Sequence, residues 1–206
     1  MEALYNPFKR LRGAAALGVG VAVIAVLGVV NWAGGVHLDG ALDLHYVPGK
    51  LPSPEIAALE NLVAWLSLAV CFALAGVVMG GRVGSVLDYL GMTAVARWPY
   101  IPMALVGSKW GLGRYVEQLT QVLPGNKMQI DLQPLMDPAF MVPFLLLSGL
   151  VLVFVVWSVT LLVFAFKEAA GTTGWRTAVG VVGGLIAAEI ISKVALWGYV
   201  KAGFGL

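Results

Sequence analysis

Residues 13–32 read GAAALGVGVAVIAVLGVVNW, without one charged side chain. A helix rises 1.5 Å per residue, so about twenty apolar residues cover the hydrocarbon core of a bilayer. Lys9, Arg10 and Arg12 precede the stretch, as they would a secretory leader. Its apolar run is longer than the roughly 7–15 residues of a leader, and no A-x-A cleavage pattern follows. It is therefore read as a retained first span. The same reading, worked outward, places further spans at 62–80, 86–106, 143–166 and 177–199. The fourth of these apolar runs, 143–166, carries no charge, whereas 86–106 contains Asp88, Arg97, Pro99 and Pro102. The expectation is one domain over 1–206: an all-α, polytopic membrane helical bundle of about five transmembrane helices, with short hairpin or amphipathic segments outside the bilayer.

Composition agrees. Hydrophobic residues make up 60% of the chain and charged residues 12%, against about 45–50% and 25% in soluble domains. The mean hydropathy is +0.89. A net charge of +2 gives no reason to expect a nucleic-acid partner. One cysteine, Cys71, excludes an internal disulfide and any site built on several thiolates. Basic residues set orientation. With the N-terminus cytoplasmic, Lys9, Arg10, Arg12, Arg82, Lys167 and Arg176 lie inside in short segments. Lys50, Lys109, Arg114, Lys127 and Lys201 lie outside, spread more thinly.

Two polar segments, 33–58 and 107–142, separate the spans. Residues 36–39 and 42–45 alternate with period 2 about Gly40, and 128–132 alternate too, which predicts short strands or hairpins. Residues 111–122 pattern as an amphipathic helix. Small residues at four-residue spacing let helices approach closely in lipid. They occur as Ala14, Gly18 and Ala22, as Gly76 and Gly80, and as Gly180, Gly184 and Ala188.

An ionisable group inside a span is costly and marks a place to look for function. Glu189 is near the middle of the last span, with Ser192 beside it and Lys193 four residues on, in the favourable order for a helical pair. The pair either fixes helix register or contacts a proton or substrate. Arg97 is followed by Trp98 and Pro99, so a break is expected there. Asp88 lies on the opposite side of the same helix. Two placements follow for Arg97: it meets Glu189 or Asp88 of a neighbouring helix, or residues 83–97 lie in the interface and the crossing starts at Trp98. His37, Asp39, Asp43 and His45 share one face of a strand-like segment. Imidazole plus carboxylate suits a divalent metal, and a polar hairpin face explains the same residues. Phosphate-binding loops, H-E-x-x-H, G-x-S-x-G, C-x-x-C and dinucleotide fingerprints are missing from the sequence, so no catalytic residue and no cofactor is expected.

Residues 87–99, LDYLGMTAVARWP, resemble the D-x-x-G-x-x-x-x-A-R-x-P stretch of bacterial Yip1-domain proteins, and residues 39–45, DGALDLH, look like their first outer loop. The five-span layout is similar as well. The resemblance covers most of the chain and implies a non-enzymatic inner-membrane protein with a scaffolding or trafficking-like role. Its partners would be lipid, further copies of itself or other membrane proteins. Eukaryotic members act in vesicle trafficking and associate with small GTPases; their long cytoplasmic N-terminal region is not matched in this sequence, so that partner is not expected here. A second resemblance, of residues 34–40 (GGVHLDG) to the membrane-embedded cobalamin-5-phosphate synthases, implies a metal-dependent transferase. The aspartate series of those enzymes is missing here, as are the later aspartates of the CDP-alcohol phosphotransferases, whose Ala-Arg pair is matched by Ala96 and Arg97. A small transporter or lipid-handling protein built on Glu189, Lys193 and Arg97 is the third reading.

Overall fold

In the computed structural model, residues 6–47, 53–81, 85–122 and 137–204 are described. After a 3-10 turn at Pro7–Lys9 come α1 (Gly13–Gly34), β1 (Val36–Leu38), β2 (Leu44–Tyr46) and α2 (Pro54–Val78). They are followed by α3 (Val86–Val95), α4 (Tyr100–Gly107), α5 (Leu112–Val122), α6 (Pro138–Ala170) and α7 (Trp175–Phe204). The chain is an all-α membrane bundle: α1, α2, α6 and α7 are each long and apolar enough to cross a bilayer.

Helix ends follow local chemistry. Gly35, in the left-handed region at φ 70°, closes α1 by donating to the Asn31 and Trp32 carbonyls. Ser53 caps α2 ahead of Pro54. That polar start puts the helix eight residues earlier than the apolar run at 62 (62 − 54). Asp137 and Pro138 begin α6 in the same way, so it too extends beyond 143–166; Pro143 lies inside the helix, where it removes the bond to the Ala139 carbonyl. Expected strands at 128–132 lie outside the described residues, as do Arg82, Lys50 and Lys127.

The stretch expected as a span at 86–106 is two helices. Between α3 and α4, Arg97 and Trp98 make tight i→i−3 bonds to the Ala94 and Val95 carbonyls, and Pro99 has no N–H to continue the ladder. The broken pair nevertheless runs parallel to α1, start beside start and end beside end. The Gly13 N–H donates to Asp88 Oδ1 at 2.7 Å, Gly91 packs on Ala16 and Leu17, and Gly20 packs on Ala94. At the far end the Lys109 N–H donates to the Gly34 carbonyl at 3.0 Å. A segment matched to both ends of a membrane-length helix reaches across the same thickness as that helix, and α3 lies along α1 over its whole length. Broken helices persist at that depth where protein surrounds the freed backbone.

Packing corrects two expectations. The buried stripe of α1 is Ala16, Gly20, Ile24, Leu27 and Asn31, while Ala14, Gly18 and Ala22 face outward. On α7, Gly180 takes the Phe166 ring, Gly184 takes the Phe72 ring and Ala188 is fully buried, as the spacing suggests. Gly76 packs on Tyr89 and Ala170, but Gly80 is a turn glycine at φ 67°. One apolar cluster centres on Phe72 and Phe166, whose rings meet edge-on at 5.3 Å. A second joins Leu27, Val36, Leu38, Tyr100, Met103 and Ala104, packing the hairpin against the helix break. At the opposite end Arg12 pairs with Glu168, which also accepts from Asn6.

Gly91 and Gly18 separate contact from mere composition. A Cβ at Gly91 would lie 2.5 Å from the Leu17 backbone nitrogen and 2.7 Å from the Ala16 carbonyl carbon, while one at Gly18 meets nothing within 4 Å. Gly91→Ala should cost about 1–3 kcal/mol, read as a lowered midpoint of thermal unfolding in detergent. Gly18→Ala should leave that midpoint within about 0.5 kcal/mol of the native chain.

Candidate functional site under the hairpin

The hairpin pairs Val36 with Tyr46, His37 with His45 and Leu38 with Leu44. Period 2 sends Val36 and Leu38 into the cluster around Tyr100. The two histidines are register partners, with ring centroids 6.2 Å apart and stacked. His37 Nδ1 lies 2.9 Å from Glu60 Oε1 on α2, and Glu60 Oε2 accepts the Leu38 N–H at 3.0 Å. His37 is therefore held by Glu60, not by the carboxylates expected beside it.

The turn between the strands reaches down onto the bundle. Ala41 is fully buried, and its carbonyl accepts from Arg97 Nη1 at 2.9 Å. The Leu42 N–H donates to Glu189 Oε2 at 2.9 Å, and the Leu42 carbonyl accepts from the Tyr100 hydroxyl at 3.4 Å. Gly40 lies against the Glu189 carboxylate so closely that any Cβ would overlap it. Lys193 bridges the other Glu189 oxygen at 3.2 Å and Asp43 Oδ2 at 2.9 Å. His45 Nδ1 lies 3.7 Å from Asp39 and 3.9 Å from Asp43.

Asp39, Asp43, His45, Arg97, Glu189 and Lys193 are thus gathered around one turn. Asp88 is not among them: it caps α1 at the opposite end. Sequence reasoning left out Tyr100, Glu60 and the role of Gly40. Tyr100 follows Arg97 by three residues, one helical turn, and its ring stacks under the guanidinium at 4.9 Å.

The two turn carboxylates are driven apart. Burial raises Asp39 above the ordinary aspartate value, Asp43 adds to the rise, and His45 and Lys193 oppose it. Burial also works to raise Asp43, but hydrogen bonding and charge from Lys193, helped by His45, hold it below the ordinary value. Farther along the hairpin, the Glu117 carboxylate of α5 accepts from Tyr46, and that bond, with burial, pushes the phenol up to about 12. The hairpin is therefore anchored at its turn by α7 and the helix break, and at its base by α5.

Asp39, Asp43 and His45 can bring one ligand atom each to within 4.8 Å of one another, a spacing open to a divalent ion. Lys193 already supplies a positive charge to that group. Neither protein-family models, curated proteins nor solved structures match this chain.

Gly40→Ala should push the turn off Glu189 and lower the unfolding midpoint by the equivalent of about 1–3 kcal/mol, as measured by thermal denaturation in detergent. Because Asp39 is raised in the fold, its favourable contribution is complete below the ordinary aspartate value and is lost as pH rises through the raised value. Stability of the native chain should decline across that window, and the decline should be weaker in Asp39→Asn. An unchanged pH profile in the variant would contradict the assignment.

Proposed function

We propose that this chain is a non-enzymatic, multi-pass scaffold of Yip1 type in the bacterial inner membrane, with its N-terminus cytoplasmic and its hairpin held at the outer face as a fixed surface. The observation that carries this reading is the use made of the intramembrane charges. Glu189 spends its carboxylate on the Leu42 N–H and Lys193, and Arg97 donates to the Ala41 carbonyl. A solute-carrying site would hold such groups open to a pathway. Here they serve the hairpin's backbone instead, which favours presentation of a surface to lipid or to other membrane proteins.

A photo-crosslinking residue in place of Val47, at the end of the hairpin, tests the reading in cells. The expected result is a discrete set of crosslinked membrane proteins or a crosslinked second copy, lost on Gly40→Ala. Solute flux through proteoliposomes that depends on Glu189 would instead favour transport and overturn the scaffold reading.

A further inference from the structure

Arg97 is the largest fully buried side chain of the described residues. Its guanidinium uses Nη1 on the Ala41 carbonyl, and its flat face covers the Tyr100 ring. Nε and Nη2 are buried and have no hydrogen-bond partner. Those two nitrogens form one edge of the guanidinium, the fork that grips two oxygens of a carboxylate or phosphate side by side. Leaving such donors empty in a low-dielectric interior costs more than leaving neutral ones empty. Glu189 does not supply the fork, since its carboxylate is bonded to Leu42 and Lys193. A water molecule would satisfy the N–H groups but not the charge.

We infer that the Nε–Nη2 edge of Arg97 is a seat for a phosphate-type oxoanion, exposed when the turn at 39–43 lifts from the bundle. Three contacts hold that turn over the arginine: Arg97 to Ala41, Glu189 to Leu42, and Tyr100 to Leu42. The last, at 3.4 Å, is the longest of them. When the turn lifts, the Tyr100 hydroxyl and Arg97 Nη1 are released as further donors beside the fork. Anion binding and hairpin docking then compete for the same groups. The phosphate can come from a lipid headgroup or from free phosphate, and the chemistry of the fork is the same for both.

The test uses the full chain, purified in a neutral detergent and labelled with 15N-arginine. The Arg97 Nε–H resonance is followed during titration with inorganic phosphate, with phosphatidic acid, and with uncharged diacylglycerol of the same acyl chains. A shift with phosphatidic acid alone identifies a lipid headgroup, and a shift with inorganic phosphate as well identifies any accessible phosphate. Diacylglycerol should produce neither. In Arg97→Lys, which keeps the charge and loses the fork, affinity measured by thermal-shift titration should fall at least tenfold. Tyr100→Phe, which keeps the stacked ring, should weaken binding about threefold. No shift in the native chain with either phosphate probe, an equal shift with diacylglycerol, or undiminished affinity in Arg97→Lys would each overturn the assignment.

Discussion

Peptide groups taken out of water must find hydrogen-bond partners, and a tight turn lowered among membrane helices cannot supply them itself. In this protein the turn at 39–43 is supplied by side chains from two separate parts of the bundle. Glu189 on α7 accepts the Leu42 N–H, and Arg97, at the break between α3 and α4, donates to the Ala41 carbonyl. Gly40 provides the close approach. Each charge gains a hydrogen-bond partner from the turn, and the turn's buried backbone groups gain theirs from the charges.

That dependence explains why the segment from α3 to α4 is broken where it is. A continuous helix through Arg97 would use every backbone group internally and follow α1 as a straight rod. Pro99 ends the α3 ladder, so Arg97 and Tyr100 are presented on either side of a bend that fits under the hairpin. The break also leaves α4 packed with Val36 and Leu38, so one apolar cluster joins strand, break and α1. Lys193 completes the arrangement by neutralising both Glu189 and Asp43. Two carboxylates that would otherwise repel are thereby kept beside one turn.

Much of this was legible in the sequence, and the exceptions have physical reasons. Apolar runs located the four helices long and apolar enough to cross a bilayer, and period 2 about Gly40 located the hairpin. The starts of α2 and α6 were placed too late because Ser53-Pro54 and Asp137-Pro138 cap polar turns that hydropathy alone passes over. The small residues of α1 were assigned to the wrong face: spacing shows that Gly18 can be approached, not that anything approaches it. Among the site residues, Glu189 and Lys193 could be paired from their spacing. Asp39, Asp43 and His45 could be grouped from strand alternation. Their union with Arg97 depends on how deep the turn descends, and no local pattern encodes that depth.

The central claim is that Glu189 holds a buried turn through the Leu42 amide. Residue-resolved amide hydrogen exchange of the full chain in lipid nanodiscs tests it most directly. The Leu42 N–H should be strongly protected in the native protein. It should lose at least tenfold of that protection in Glu189→Ala, while the Trp65 indole N–H, bonded to the Leu90 carbonyl at 2.9 Å, keeps its own. A Leu42 amide that exchanges freely in the native protein would contradict the account.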